Sequence, residues 1–397
     1  MKILFLHPNF PGQFKHIASD FARTGNDVRF ICQTHYNRKI PNLRRYCIKG
    51  KLGDDELKRT TSDALSRAQK MATQYEKAFE ILGKEWNPHL VISHSGWGCG
   101  AYVKKVWPEC NHITYLEWWF DVKSSLFTYD EHNPDLLISP ATASKQWMRN
   151  SLQALELVNA DKIVSPTQWQ REQLPDGMKK VCEVIHDGID DNKFKFSTNR
   201  TEAHIITYGT RGMEPMRCFP QFIRSIPEIL SNLKDYTVEI AGVDEINYGG
   251  RKPKEGSWKK WALNFLESKG INDKVKWVGR LKEPKYIRWL QRSSCHVYLT
   301  HPYVVSWSFI EAIFCNCRIV ASKVEPIKEF SHAGNITMVD HRVISQISQG
   351  VIKTCKDSLK TDTTSHDFKQ KRCKELTLEN AIKKWRAVAG LDLTTLH

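Results

Sequence analysis

The chain has 397 residues, 41% hydrophobic and 26% charged, an ordinary soluble composition with room for two domains of usual size. The formal net charge of +15 is dispersed, without the block of about 5–8 basic residues that marks nucleic-acid arms, so no nucleic-acid partner is expected. No apolar run approaches the ~18 residues of a membrane span, and the apolar start of MKILFLHPNFPG is too short for an export signal. The eleven cysteines are an odd number with no C-x-x-C pair, and read as reduced core residues of a cytoplasmic chain rather than a disulfide framework or a zinc site.

In chain order, KILFLH (2–7) is a continuous apolar run ended by Pro8, as a buried parallel strand requires. GQFKHIASDFART follows, with Phe14, Ile17, Ala18, Phe21 and Ala22 on one helical stripe. DVRFIC (27–32) is the next strand, then a long helix over 55–86 that aligns Leu65, Ala68, Met71, Ala72, Tyr75, Phe79 and Leu82. HLVISH (89–94), HITYLEWW (112–119) and KIVSP (162–166) complete the first set of strands. The alternation restarts with HIITYGT (204–210), TVEIAG (237–242), VKWVGR (275–280), CHVYLT (295–300) and RIVAS (318–322), separated by helices such as FPQFIRSIPEIL and PKYIRWLQRS. This is an α/β chain of two doubly wound Rossmann-like domains, expected to face each other across a cleft. The boundaries read as 1–190 and 191–365, with the hinge in VIHDGIDDNKFKFSTNRTEAH. A terminal segment, 366–397, carries a helix with Phe368, Leu376, Ala381, Ile382 and Trp385 to bury, packing back on the first domain.

Open α/β sheets bind ligands at the carboxyl ends of their strands, so the loops there carry the candidate site. Gly12, in HPNFPGQF, lets backbone approach a ligand next to the start of a helix. HSGWGCG places His94 beside glycines and Trp97, a pattern suited to sugar stacking and hydrogen bonding. YLEWWFD puts Glu117 at the same rim, either as a functional carboxylate or simply exposed beside core Trp118 and Trp119. Arg211 and Arg217 bracket the loop after the first strand of the second half, and two guanidiniums there suit a diphosphate. In HPYVVSWSFIEAIF, Glu311 either favours a helix start or accepts a sugar diol, with Ser306, Trp307 and Ser308 beside it. The basic stretch GGRKPKEGSWKKW (249–261) is either a solvated loop or a contact with anionic lipid or a phosphorylated acceptor.

HPNFPGQF, VSPTQWQREQLP, VIHDGID, YGTRGMEPMRCFPQF, WVGR and EAIFCNCRIVAS, in this order and spacing, resemble the family 4 glycosyltransferases of bacterial type. The resemblance runs from residue 1 to about 330 and implies a retaining enzyme of GT-B architecture, using a nucleotide-diphosphate sugar and no metal or other cofactor. It implies that Glu311 is the second glutamate of the E-x7-E element and binds the ribose hydroxyls, that amides of Ser306, Trp307 and Ser308 hold the diphosphate, and that Arg211 and Arg217 are the phosphate-contacting basic pair. Gly12, Gly279 and Arg280 join the donor site; His94 and Glu117 stand near the reacting sugar as catalytic candidates with the two arginines. Tyr303 occupies the position of the element's first glutamate, a departure from the family pattern. No Asp-x-Asp motif stands where a catalytic cation would sit. The expected activity is hexosyl transfer to a glycan, lipid-linked or small-molecule hydroxyl, in polysaccharide biosynthesis, in the cytoplasm or at the inner face of the membrane. The alternatives are a GT-B sugar-nucleotide epimerase and a non-catalytic glycan- or nucleic-acid-binding protein.

Overall fold

The computed structural model describes residues 1–35, 37–48, 61–195, 204–358 and 373–391. They fall into two compact units. The first comprises Met1–Val122, Ala143–Gly188 and the chain from Leu378; the second comprises Lys123–Thr142 and Ile189–Thr377.

The first unit is built on a parallel sheet of seven strands: β1 (Lys2–Leu6), β2 (Asp27–Cys32), β3 (Leu43–Cys47), β4 (Leu90–His94), β5 (Asn111–Tyr115), β6 (Lys162–Ser165) and β7 (Cys182–Val184). Their order is β3-β2-β1-β4-β5-β6-β7, so the winding reverses between β1 and β4. The central strands are fully buried because helices cover both faces, which is why they read as unbroken apolar runs. The helix Lys15–Arg23 buries Ile17, Ala18, Phe21 and Ala22 against Phe5 and Phe30. The terminal helix Leu378–Val388 adds Trp385 and Val388 to the same core, and Arg386 grips Asp20 through Nε and Nη2, both at 2.7 Å. A bidentate contact of this kind fixes orientation as well as charge.

The second unit holds six parallel strands: β8 (Ile205–Gly212), β9 (Thr237–Val243), β10 (Val275–Gly279), β11 (Cys295–Tyr298), β12 (Arg318–Ser322) and β13 (Asn335–Val339). Their order is β10-β9-β8-β11-β12-β13, with the reversal between β8 and β11. The helices Phe219–Asn232 and Ile344–Ser358 pack on one face of this sheet, burying Phe222, Ile223, Ile226, Ile347 and Val351.

Several expectations need correction. The long helix runs over Thr61–Gly83; its expected start at 55, like Phe368, lies outside the described residues. β5 stops at Tyr115, so Glu117 stands on the loop beyond it rather than on a strand. Strands β3, β7 and β13 come in addition to the expected ones. The edge strand β3, LRRYC, lacks an apolar run because only alternate side chains are partly buried. The excursion Lys123–Thr142 leaves the first unit and belongs to the second, where the Arg251 amide donates to the Asp135 carbonyl at 2.8 Å.

Candidate active site

In each unit the chemistry collects where the strand order reverses, because the loops leaving the two central strands part there. In the first unit β1 delivers His7 and β4 delivers His94, both buried, with ring centroids 4.7 Å apart in an edge-to-face arrangement. The Asn9 amide donates to His7 Nδ1 at 2.9 Å, so the ring proton sits on Nε2 and is donated to Gln13 Oε1, also 2.9 Å away. Gly12 has φ +55°, and a Cβ there would stand 2.6 Å from the His7 ring. Its first duty is therefore to admit His7, a packing role beside the donor-binding one expected of it.

His94 donates Nδ1–H to the Ser95 carbonyl at 2.8 Å. Its Nε2 is buried, has no hydrogen-bond partner, and lies 3.6 Å from Glu117 Oε2. Burial lowers the His94 pKa to about 4, outweighing the Ser95 carbonyl and Asp187, which raise it. The imidazole is thus neutral near pH 7, with its Nε2 lone pair turned toward a carboxylate that is 43% exposed. The loop bearing Glu117 is held by three buried amide side chains that the sequence did not single out. Gln170 Nε2 donates to the Glu117 carbonyl, Gln153 Nε2 donates to the Trp118 carbonyl at 2.8 Å, and Asn150 exchanges two 2.9 Å bonds with the Phe120 backbone. Two of the glycines after His94 have a packing role: a Cβ on Gly98 would meet the Ala68 carbonyl oxygen at 2.3 Å, and one on Gly100 would meet the Glu156 carboxyl.

In the second unit the short turn Pro215–Arg217 follows β8 and buries Arg217. Arg217 Nη1 donates to Thr300 Oγ1 at 2.8 Å and to the Tyr298 hydroxyl at 3.2 Å, and Nη2 donates to the Val304 carbonyl at 3.1 Å. The Tyr248 ring lies 4.9 Å from the guanidinium, and Tyr303 stands 6.1 Å from Tyr248. Among the described residues Arg217 forms no direct ion pair: its contacts are neutral oxygens and an aromatic face, while the buried Glu214 carboxylate favours its charge electrostatically. Three of the five guanidinium N–H donors are used in these bonds. Arg211 is exposed on the end of β8, so of the two expected arginines Arg217 is the buried one. Glu214, fully buried, takes the amides of Asn247, Tyr248 and Gly249 on Oε2 at 2.8, 2.7 and 3.2 Å, and so shapes the loop that brings Tyr248 to Arg217.

Ser306 caps the helix Trp307–Phe314, with its amide donating to the Tyr298 hydroxyl at 2.9 Å and its Oγ 2.6 Å from Ser308 Oγ. The Ser306 amide is therefore already committed, and of the three amides expected to hold phosphate it is not available. Trp307 is 46% exposed. Glu311 lies one turn into that helix, where burial lifts its pKa to about 7; the Tyr286 hydroxyl opposes this shift and Glu283 adds to it. Gly279 ends β10 at φ +65° with open space around it, and Arg280 is exposed beside it. The basic stretch 249–261 is anchored: Trp258 is buried and donates Nε1–H to the Arg251 carbonyl at 2.9 Å, leaving Arg251, Lys252 and Lys254 exposed.

Two parallel Rossmann-like units with their functional side chains at the strand-order reversals define a GT-B protein, the architecture of nucleotide-sugar enzymes. Residues 24–194 match the model of the glycosyl transferase family 4 group, and residues 189–373 match that of the glycosyl transferases group 1. The chain belongs to this family and is a glycosyltransferase. Its fold is similar to that of Anabaena HepE in complex with UDP and glucose, at 13% identity and TM-score 0.69, covering 98% of this chain and 99% of that one. It is also similar to sucrose-phosphate synthase from Thermosynechococcus elongatus, at 11% identity and TM-score 0.72, covering 98% of both chains. A UDP-N-acetylglucosamine 2-epimerase from Listeria monocytogenes, described by its solvers as putative, shares the fold at 12% identity and TM-score 0.58, covering 100% of this chain and 97% of that one. No curated protein matches the sequence significantly. Among the described residues no helix is long and apolar enough to cross a membrane.

Proposed function

We propose that the protein is a retaining hexosyltransferase that takes a sugar from a nucleotide-diphosphate donor and places it on a hydroxyl of a glycan, lipid-linked or small-molecule acceptor. The observation that carries this reading is Arg217. A buried guanidinium whose direct partners are all neutral is costly, with the Glu214 carboxylate acting on it without direct contact, and an anion repays that cost. Tyr303 stands where the family resemblance places a glutamate, so no carboxylate from that position competes with a phosphate for Arg217.

When the sugar leaves, positive character develops at its anomeric carbon and negative charge on the departing diphosphate. Arg217, fixed by Thr300, Tyr298 and Val304, supplies preorganised positive charge for that phosphate, with no catalytic cation assigned to the step. Glu311 takes the ribose hydroxyls. In the first unit, His94 Nε2 and Glu117 Oε2 are two acceptors separated by 3.6 Å, a spacing that suits a sugar hydroxyl donating to either. Retention is carried from the family resemblance, with attack on the same face assisted by the leaving phosphate. Exposed Arg251, Lys252 and Lys254 supply a basic edge for peripheral contact with anionic lipid, each adding on the order of 1 kcal/mol near such a surface.

A thermal-shift panel of UDP, GDP, ADP and dTDP sugars identifies the donor, since a ligand at 100 times its Kd adds about 2.7 kcal/mol of stability. Product analysis then decides the reaction. A new glycosidic bond with the donor's anomeric configuration supports the proposal, an inverted bond overturns retention, and an isomerised nucleotide sugar with no new bond makes the protein an epimerase.

A further inference from the structure

Outside the residues assigned to sugar transfer, three side chains from distant parts of the sequence converge within the second unit. Asp130 comes from the excursion Lys123–Thr142, His301 from the loop after β11, and His341 from the loop after β13. One ligand-type atom from each lies within 4.8 Å of the other two. Both histidines are 1% exposed.

The hydrogen bonding around them is incomplete in a specific way. His301 Nε2 lies 2.9 Å from the Leu126 carbonyl, which can only accept, so the ring proton sits on Nε2 and Nδ1 carries a lone pair. That Nδ1 is buried with no hydrogen-bond partner. His341 is starker: both ring nitrogens are buried and neither has a partner. Buried imidazole nitrogens are ordinarily satisfied, because each orphan costs about 1–3 kcal/mol. An imidazole whose far nitrogen donates to a backbone carbonyl is also the usual posture of a metal-ligating histidine. Burial keeps both rings neutral, the form that ligates.

The surroundings tolerate a cation. The nearby guanidinium of Arg342 is already neutralised by Asp340, with Nη2 to Oδ2 at 2.6 Å, and lies over the Tyr129 ring at 4.4 Å. Asp130 holds its carboxylate toward Asn133, which donates to Oδ2 at 2.8 Å and leaves the other oxygen for a ligand.

We propose that Asp130, His301 and His341 bind a divalent transition-metal ion of the zinc type. Two imidazoles and one carboxylate match the borderline preference of Zn²⁺ and Co²⁺ and leave a position for water. Ligands about 2.0–2.2 Å from such an ion sit closer together than the present spread, so occupancy draws them inward by on the order of 1 Å. The ion ties the excursion Lys123–Thr142 to two βα loops of the second unit. One of them begins at Thr300, which accepts from Arg217, so metal binding also steadies the loop that positions that guanidinium. This is a clamp on the scaffold; the transfer step itself is not routed through it. No motif marks the cluster, because its three residues are isolated along the chain.

The test uses the full chain, carrying no histidine tag and stripped of metal by chelator and dialysis. Titration with Co²⁺ alone should give one saturable equivalent with visible d–d absorption, displaced by Zn²⁺, and a raised melting temperature. Asp130→Asn and His341→Gln should each weaken Co²⁺ binding at least 10-fold, whereas His132→Ala, at an exposed neighbour, should leave it unchanged. If His341→Gln does not fold, as circular dichroism would show, Asp130→Asn decides alone. Absence of saturable binding in the parent chain, or unchanged binding in Asp130→Asn, overturns the site.

Discussion

His94 Nε2 faces Glu117 Oε2 across 3.6 Å, with the imidazole proton committed elsewhere, to the Ser95 carbonyl. A carboxylate oxygen and an imidazole lone pair repel at that distance unless a donor comes between them, and a substrate hydroxyl is such a donor. Replacing Glu117 by Gln turns one acceptor into an amide that can donate to His94 and close the gap. Turnover should fall by ~10²-fold or more while nucleotide binding stays nearly intact. Full turnover in Glu117→Gln would remove this pair from the reaction.

The same geometry sets a pH expectation. His94 is held neutral by burial until about pH 4, so it contributes no acid limb to the rate between pH 5 and 8. A limb in kcat near pH 6.5 that vanishes in His94→Gln would show that the ring titrates freely and that its environment is not the one described.

Arg217 and Arg211 should separate under mutation. Arg217→Ala removes a buried charge with three hydrogen bonds and leaves Thr300 Oγ1 without its donor, while Tyr298 keeps the Ser306 amide. Affinity for the nucleoside diphosphate should drop by about 10–100-fold, or roughly 1.4–2.8 kcal/mol, with little change for the bare nucleoside. Arg211→Ala, at an exposed position, should have a smaller effect on both ligands. Equal losses for diphosphate and nucleoside in Arg217→Ala would point to a damaged fold instead of a lost phosphate contact.

The reach of the sequence differs between the two ends of this argument. Central strands such as KILFL and LVISH were legible because burial on both faces leaves an unbroken apolar run, and edge strands such as LRRYC were not. Arg217 was legible from its place after a strand, whereas the difference between it and Arg211 was not. They lie six positions apart, Arg211 exposed at the end of β8 and Arg217 buried in the turn Pro215–Arg217, a difference that no local apolar pattern records. Glu214, Gln170 and Asn150 were invisible for a further reason. Each acts by bonding to the backbone of a segment remote in sequence, which no local pattern records.

Glu311 links donor binding to pH. Its pKa near 7 means the free protein carries the carboxyl largely protonated in mild acid, while two ribose hydroxyls are best accepted by the ionised form. Donor affinity should therefore rise as pH increases from about 6 to 8, with proton release on binding below pH 7. Glu311→Gln should lose on the order of 1.5–3 kcal/mol of donor binding at pH 8 and flatten the profile. Isothermal titration in buffers of different ionisation enthalpy measures both quantities. A variant that binds donor as tightly as the parent would return Glu311 to a helix-start role.

Glu156 yields the last expectation, one of stability. It is fully buried behind β4 and β5, where Ser93 Oγ donates to its Oε1 and His112 Nε2 lies 2.8 Å from the same hydroxyl. Burial raises its pKa to about 7, with the Ser93 and Gly100 contacts opposing. In the unfolded chain this carboxyl ionises near its ordinary value of 4.5. Between those two pH values the folded state binds the proton and the unfolded state does not, so the contribution to stability is fully present below about 4.5 and is lost as pH rises through about 7. The loss is on the order of 3 kcal/mol for this group alone. Glu214 and Glu311 are shifted in the same direction and add to the slope. The buried histidines, neutral in the folded protein, act in the opposite direction in parent and variant alike, so the test is the difference. In denaturant unfolding from pH 4.5 to 7.5 the parent should lose stability relative to Glu156→Gln, which keeps the shape but cannot ionise. An equal slope in parent and variant would mean that the carboxyl ionises in the folded protein as readily as in the unfolded chain.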